Sequence, residues 1–358
     1  MPLGKARQTV ILIYDFNWQD YLAKEVFQIH GVDERGKAVL RKNLKRSEMA
    51  KFFVNLEPCL IGMEACGSAH FWVRKLEGFG HTVKLMAPQF VKPYVKTNKN
   101  DMADAEAICE AVARPNMRYV PIKNVEQQAI LSIHRARQGF VKAKTAQANQ
   151  IRGLLAEFGI AIPKGIGAIA RAIPEILEDG ENGLPGTMRR LIQRLADNLK
   201  EIDRQVDELE AVIRQDCKEN EAVRKLTEIP GLGPITASAI VATVGDAREF
   251  KNGRQLAAWL GLVPRQHSSG GKQVLLGISK RGDTYLRTLM IHGARSVIRF
   301  AKHKEKPVNW LINLIGRRNK NIAAVALANK NARVIWALLA KDRMFQPDYT
   351  PAAVVAEA

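Results

Sequence analysis

The sequence predicts an α/β domain with a mixed sheet, then long helices, then a mostly helical C-terminal domain. Three observations predict this order. Short apolar runs alternate with helical patterns in the N-terminal third, as in layered α/β domains. Apolar residues then repeat every seventh position, which is typical of a long helix packed against another helix. The remaining chain is helical in pattern and interrupted by glycines.

The N-terminal elements follow from short apolar runs and from helical periodicity. Asp33-Glu34-Arg35-Gly36 is typical of a hairpin connection between two strands. The predicted strands are Val10–Tyr14, Val26–Val32, Ala38–Leu44, Cys59–Met63 and Thr82–Met86. The predicted helices are Ser47–Leu56, Phe71–Phe79 and Asn100–Ala113. We assign residues 8–124 to this domain.

The central region is predicted as long helices with coiled-coil heptads, over residues 125–220. Val125–Phe158 has a helical pattern, and Pro163–Pro185 is interpreted as a connection. One heptad series is Ile192, Leu199, Val206 and Ile213, and the other is Met188, Leu195, Ile202 and Leu209. The heptads are compatible with three arrangements: the helix packs on its own domain, pairs with the first long helix, or pairs with a second subunit. Residues 221–345 are assigned to the C-terminal domain and 346–358 to a tail.

The charge balance indicates a polyanionic partner. The 358 residues include 55 Lys and Arg against 36 Asp and Glu, a formal net charge of +19. Such an excess is typical of nucleic-acid-binding proteins. The four cysteines have no zinc-finger spacing, no signal peptide is recognisable, and no apolar run is expected to span a bilayer. We therefore expect an intracellular protein without a membrane partner.

Four acids of the first domain are candidate metal ligands. Asp15 ends the first predicted strand, and Glu64 ends another. Asp101 and Asp104 are three residues apart at the start of a helix, so they share one helical face. Carboxylates that converge repel each other unless a cation joins them, and Mg²⁺ or Mn²⁺ prefers such oxygen ligands. Two such ions can hold the attacking and leaving oxygens of a phosphodiester.

Two glycine-bearing segments of the C-terminal domain are candidate nucleic-acid contacts. The first is a helix-hairpin-helix-like turn with Gly231 and Gly233, where backbone N–H groups can approach a phosphate. The second is a loop that contains Ser268, Ser269 and several cations. Its cations predicted to contact nucleic acid are Lys272, Lys280 and Arg281. Taken by themselves, these residues favour phosphate binding, although a serine beside cations and a base is also a potential nucleophile.

Several of these motifs resemble the DEDD transposases of insertion sequences, of the IS-one-ten class, which include the Piv-type DNA invertases. The resemblance covers roughly residues 10 to 340. The matching N-terminal stretches are Gly62–Gly67, Ala87–Tyr94 and Asn98–Ala105. The matching C-terminal stretches are Pro230–Pro234, Leu256–Leu262, Ser268–Gly270 and Ser279–Gly282.

The resemblance implies an RNase H-like (RuvC-like) fold for the N-terminal domain, with Glu64, Asp101 and Asp104 as the last three acids of the family's set. It implies that Ser269 is a nucleophile that links covalently to DNA, with Ser268 as the neighbour that could be confused with it. It also implies double-stranded DNA as substrate, a structured guide RNA in some members, and a dimeric or tetrameric assembly in a bacterial, nucleoid-associated cytoplasmic setting.

One departure from the family pattern concerns the first acid. The family has Asp directly before Leu-Ala-Lys, whereas here Tyr21 precedes Leu22 and Asp20 lies one place earlier. We assign Asp15 as the first ligand because it ends the strand, with Asp20 as the alternative. The alternative functions are a RuvC-like nuclease or junction resolvase without a serine step, a DNA invertase, and a nucleic-acid-binding protein without activity.

Overall fold

The computed structural model describes residues 10–15, 26–33, 35–95, 101–301 and 309–347, with the backbone alone at 10–15, 101–102 and 309. The chain divides into two compact units, residues 1–125 and 126–358. The division of the second unit into residues 125–220 and 221–345, with a tail at 346–358, stays a prediction.

The first unit alternates strands and helices as the sequence predicts. Its strands are β1 (Val10–Asp15), β2 (Val26–Val32), β3 (Ala38–Lys45), β4 (Leu60–Glu64) and β5 (Thr82–Met86). Its helices are α1 (Arg46–Val54), α2 (Ala69–Glu77), α3 (Pro88–Val91) and α4 (Asp101–Val112). The bounds of the strands and of α1, α2 and α4 agree with the predicted ones to within a few residues, which confirms the hydrophobic patterns as strand and helix signals. The short helix α3 was not predicted.

The five strands form one mixed sheet in the order β3-β2-β1-β4-β5. β1, β4 and β5 are parallel to one another. At one edge, β2 pairs antiparallel with β1, and β3 pairs antiparallel with β2. The turn between β2 and β3 contains Gly36 at φ 78°, a conformation that glycine adopts without a steric cost. The hairpin predicted between these two strands is therefore confirmed.

Both faces of the sheet are covered by helices. On one face, Ile61 and Met63 of β4 pack in a core with side chains of α1 and α2, such as Phe53 and Trp72. On the other face, Met86 of β5 packs with Ile108 of α4, in a core that Leu60 of β4 also contacts. Because strand side chains alternate between faces, each strand residue belongs to one of these two layers.

The second unit is helical apart from one two-stranded sheet. Its elements are α5 (Val125–Ala156), α6 (Ile166–Glu178), α7 (Gly186–Glu219), α8 (Glu221–Thr227), α9 (Pro234–Val244), α10 (Gly253–Trp259), β6 (Pro264–Ser269), β7 (Lys272–Ile278), α11 (Thr284–Phe300), α12 (Asn309–Arg317) and α13 (Lys320–Ala340). The interpretation of Pro163–Pro185 as a connection was wrong, because α6 lies within it. Pro174 lies inside α6, and buried Ile169 and Ile173 hold this helix against the α5–α7 core.

The heptad helix α7 pairs with α5 of the same chain, one of the alternatives that the sequence left open. Arg137 of α5 donates through Nε and Nη2 to Oε1 of Glu210, at 2.9 and 2.6 Å. Farther along, Lys144 pairs with Asp203. Residue numbers rise along α5 as they fall along α7, so the two helices are antiparallel.

The heptad seam of α7 is largely buried within this chain. All four residues of the first series, Ile192, Leu199, Val206 and Ile213, are buried. Of the second series, Ile202 is buried and Met188 and Leu195 pack partly buried against the same core as α5 and α6. This seam is therefore an intrachain core, which agrees with the alternative in which α7 packs against the first long helix.

One helix corrects the expectation that no apolar run is long enough to cross a bilayer. Among the described residues, α13 has the length and composition of a membrane span. Its apolar face is used inside the second unit, because Leu327, Ile335 and Leu338 lie in the largest core with residues of α8 to α11. A mostly buried face of this kind is typical of the central helix of a globular core.

Candidate active site

Two of the four predicted acids end neighbouring parallel strands. β1 and β4 run in register, with Ile13 opposite Met63, so Asp15 and Glu64 both lie at the carboxyl end of the pair. The carboxyl ends of parallel strands form one edge of the sheet, which is a common place for functional side chains. The backbone therefore brings these two positions to one edge, while the Asp15 side chain and all of Asp20 lie outside what the structure describes.

Glu64 lies on the sheet face that α4 covers. It is in register with Met86, whose side chain packs in the core beneath α4. Glu64 is half-buried, so its carboxylate lies between the interior and the solvent. The alternation of strand side chains separates it from Met63, which points to the opposite core.

Asp104 lies on the helix that covers this same face. It is half-buried and precedes Ile108 by one turn, and Ile108 is fully buried against the sheet. Asp101 is the first residue of α4, one turn before Asp104, and its side chain is not described. The fold thus places Glu64 and Asp104 in the same layer.

The chemistry of these residues fits a hard divalent cation. Carboxylate oxygens at a strand end and on a facing helix are ligands that Mg²⁺ and Mn²⁺ accept. Among the described side chains, no three His, Cys, Asp or Glu residues form a metal-binding group, but two of the four acids are outside that set. The assignment of four ligands to one metal site stays a prediction.

The serine-bearing segment is a β-hairpin, where the sequence predicted a loop. β6 and β7 pair antiparallel, with Ser269 opposite Lys272. The two residues between them, Gly270 and Gly271, have φ values of 56° and 78°, which match the type I′ turn of a two-residue hairpin. The loop interpretation missed this because both strands are exposed and the apolar residues of β7, Val274 to Leu276, are consecutive, so the segment carries no hydrophobic alternation.

The register of the hairpin separates the two serines. Ser268 pairs with Gln273, and its Oγ accepts a hydrogen bond from Nε2 of Gln266 at 2.8 Å. Ser269 is on the opposite face, which it shares with Lys272 across the strand and with His267 two residues earlier. His267 was not among the predicted site residues. The spacing His-x-Ser before Gly-Gly is the signal that could have found it, once a hairpin is assumed.

The predicted cations lie at two places: Lys272 begins β7, and Lys280 and Arg281 follow that strand. Lys272, Lys280 and Arg281 are all exposed, as a phosphate contact requires. Lys280 has a φ of 54°, and its N–H donates to the carbonyl of Gly261 at 3.2 Å. Carbonyl oxygens at the base of the hairpin are held by buried Arg287, whose Nη1 donates to Leu260 and Arg281. Their assignment as nucleic-acid contacts stays a prediction.

Packing explains one of the two glycines in the helix-hairpin-helix-like turn. Gly231 has a φ of 90°, and a Cβ there would lie 2.8 Å from the carbonyl oxygen of Gly293 in α11. Gly233 is exposed, and a Cβ there would meet nothing within 4 Å. Packing between α11 and the turn therefore accounts for Gly231, and Gly233 is the position left open to a ligand.

A buried polar chain joins four helices of the second unit. Tyr285 Oη lies 3.1 Å from Nδ1 of His134, whose Nε2 lies 3.2 Å from Oγ of Ser238. Ser238 in turn donates to Oδ2 of Asp216 at 2.6 Å. Since Ser238 uses its one proton on Asp216, it accepts from His134 Nε2–H, and Nδ1 accepts from Tyr285.

Burial keeps this histidine neutral. Loss of solvation, helped by the charge of Arg137, lowers the pKa of His134 to about 4. Burial also raises the pKa of Tyr285. Tyr285 lies in the first turn of α11, directly after the segment that follows β7. The chain of hydrogen bonds therefore ties the start of α11 to the long helices α5 and α7.

Comparison with known proteins gives matches over both units. A family model described as the Transposase IS116/IS110/IS902 family matches residues 223–308, and a DEDD transposase model of IS110 matches residues 22–160. The second match begins at Leu22, after both Asp15 and Asp20.

Two relatives match over most of the chain, and a third matches over less than half of it. A probable family 20 transposase of Pseudomonas aeruginosa is 53% identical, with 91% of this chain and 97% of the relative covered. The transposase for insertion sequence element IS1111A of Coxiella burnetii is 45% identical, with 91% and 90% covered. A pilin gene-inverting protein of Moraxella bovis is 28% identical, with 43% of this chain and 47% of the relative covered.

Proposed function

Because the chain belongs to the IS110/IS116/IS902 family of transposases, enzymes that cleave DNA and transfer strands, we propose that it moves its own insertion sequence by a covalent serine mechanism. The observation that carries the proposal is the hairpin, which exposes Ser269 with Lys272 directly opposite. A cation beside a serine hydroxyl stabilises the charge of a phosphate under attack.

The four acids serve the same reaction through a metal. Asp15, Glu64, Asp101 and Asp104 would hold Mg²⁺ or Mn²⁺, which activates and orients phosphodiester oxygens when bound. The sheet order β3-β2-β1-β4-β5 and its helices on both faces support an RNase H-like (RuvC-like) fold for this unit. Support for the ligand set comes from Glu64 and Asp104 lying in one layer and Asp15 lying at the same edge as Glu64.

Ser269 rather than Ser268 is proposed as the nucleophile. The Ser268 hydroxyl already accepts a hydrogen bond from Gln266 and faces the opposite side of the hairpin. Ser269 shares its face with the residues that can take a proton or bind a phosphate. The two serines are adjacent, so each is the matched control for the other.

Double-stranded DNA is the proposed substrate, with contacts from Gly233, Lys272, Lys280 and Arg281, and with Gly231 shaping the turn. The net charge of +19 supports an electrostatic attraction to the duplex. A structured guide RNA, a dimeric or tetrameric assembly, and a place in the bacterial cytoplasm at the nucleoid complete the proposal. The bacterial sources of the relatives support the last of these.

A test uses a supercoiled plasmid that carries the gene with its flanking noncoding DNA. The full chain is incubated with Mg²⁺, and protein–DNA adducts are separated on a denaturing gel. We expect the adduct with the native chain and with Ser268→Ala, and no adduct with Ser269→Ala. Nicking by Ser269→Ala at the native rate would instead support a nuclease or resolvase that uses the acids alone.

A second candidate activity is DNA inversion, which the similarity to the pilin gene-inverting protein favours. Inversion and insertion share the covalent step and differ in which ends are rejoined. Sequencing the recombinant junctions from the same plasmid separates the two. Junctions that restore an inverted segment would identify an invertase, and junctions with new target DNA would identify a transposase.

A further inference from the structure

The face of the hairpin that carries Ser269 also carries an imidazole. His267 and Ser269 are two residues apart on β6, so their side chains leave the same side of the strand at a Cα spacing of about 6.5 Å. The matching pair on the opposite face, Gln266 and Ser268, is in hydrogen-bond contact at 2.8 Å. By analogy with Gln266, an imidazole at the same spacing is long enough to reach the hydroxyl of Ser269.

Other groups of the hairpin do not supply a base. Residues 264–278 contain no Asp or Glu and a single histidine, His267. Lys272 is opposite Ser269, but a charged ammonium has no lone pair with which to accept a proton. Imidazole is the side chain that most readily exchanges a proton near neutral pH.

We propose that His267 is a catalytic residue, the general base for Ser269; this rests on the serine mechanism proposed above. As Ser269 Oγ attacks a DNA phosphorus, the Oγ–P bond forms and His267 takes the hydroxyl proton. The bond from phosphorus to one deoxyribose oxygen breaks, and that oxygen leaves with the electron pair and takes up a proton from solvent to become a hydroxyl. No redox change occurs, and one phosphodiester replaces another.

The reverse step uses the same residues. A DNA hydroxyl attacks the phosphoserine and releases its proton to solvent. The Oγ–P bond breaks, and Ser269 regains its proton from the imidazolium of His267. Lys272, on the same face, neutralises phosphate charge in both directions. A base and a cation on either side of one hydroxyl are what a reversible exchange of phosphodiesters needs.

The two charged residues of the hairpin, apart from its histidine, are cations. Lys272 is on the facing strand, Arg265 lies two residues before His267 on β6 at the irregular end of the pairing, and Lys280, Arg281 and Asp283 follow β7. His267 itself is exposed, as are all residues of β6.

The test measures the rate of adduct formation by the full chain on the plasmid described above. His267→Gln and His267→Ala are compared with Gln266→Ala, a change on the same strand that faces the other way. We expect both His267 variants to form adduct about 10²–10⁴-fold more slowly, with DNA binding unchanged. Gln266→Ala should match the native rate. Imidazole in the buffer should restore part of the rate of His267→Ala.

The pH profile gives a readout that a structural role would not move. Measured from about pH 5 to pH 8, the native rate should rise with pH, because a general base acts only in its unprotonated form, and His267→Gln should lose that rise. A native rate that is flat over this range would overturn the proposal whatever the variants do.

The controls separate this proposal from the serine mechanism. If both His267 variants form adduct at the native rate and Ser269→Ala forms none, His267 is not the base and the serine mechanism stands. If Ser269→Ala still forms adduct, the proposed function itself fails.

Discussion

The acid-bearing edge of the first unit and the serine hairpin of the second are built in opposite ways. Glu64 and Asp104 are half-buried and belong to strands and helices that enclose two apolar cores. Ser269 belongs to a hairpin whose residues are exposed along almost its whole length, including Leu275 at 64%. Metal ligands need positions held by packing, whereas a nucleophile that enters a DNA duplex needs to project from the surface.

This contrast predicts that the two regions respond differently to substitution. Changes at the acids and at the serine should remove chemistry while leaving the fold intact. Changes at the contact between the Gly231 turn and α11 should act on stability. The following experiments test the contrast, from the largest expected effect to the smallest.

Asp104→Ala should abolish DNA cleavage at every Mg²⁺ concentration, because metal ligands serve the chemistry more than DNA affinity. Cleavage is measured on the plasmid gel and affinity by a filter-binding or anisotropy assay. Glu106→Ala, on the same helix but exposed, is the matched control and should retain cleavage. Normal recombination by Asp104→Ala would refute the metal site.

Gly293→Ala should destabilise the second unit by about 2–3 kcal/mol or more, because its Cβ would lie 1.8 Å from the carbonyl oxygen of Gly231. Gly233→Ala should cost about 1 kcal/mol or less, since space is open there. Urea unfolding measures both. A loss of DNA affinity in Gly233→Ala without a loss of stability would support phosphate binding by this turn. Equal losses of stability in the two variants would contradict the packing argument.

Acid should weaken the second unit through His134. Its pKa falls from 6.5 to about 4 on folding, so the unfolded chain binds more protons between these values and stability decreases as the pH falls. From pH 7 to pH 5 the expected loss is about 2 kcal/mol. His134→Gln should lose stability at pH 7 but show less dependence on pH. Thermal unfolding at both pH values checks this, and an unchanged pH dependence in the variant would rule out His134 as its source.

Lys272→Ala should weaken DNA binding modestly and reduce the salt dependence of affinity. Each phosphate contact contributes about 0.9 to the slope of log affinity against log salt on duplex DNA. Gln273→Ala, next to it on β7, should leave the slope unchanged. Identical slopes for both variants would mean that Lys272 binds no phosphate. If the affinity of the native chain does not depend on salt, the proposal of electrostatic DNA binding is wrong.

The sequence by itself determined the strands of the first unit, three of its described helices, both long helices and the placement of candidate acids at strand ends. Short continuous apolar runs are typical of strands buried on both faces, and a period of 3.6 is typical of a helix buried on one side. The motifs around Glu64, Asp104 and Ser269 were enough to identify the family, which the comparisons show.

Only the tertiary structure decided which partners these elements have. The heptads of α7 are equally compatible with a second subunit, and the facing residues Arg137 and Glu210 show that α5 takes that place. The helix α6 escaped prediction because Pro163, Pro174 and several glycines mask its period. The hairpin escaped because exposed strands have no buried side to report, so the face shared by His267 and Ser269 exists only once β6 and β7 are paired in register.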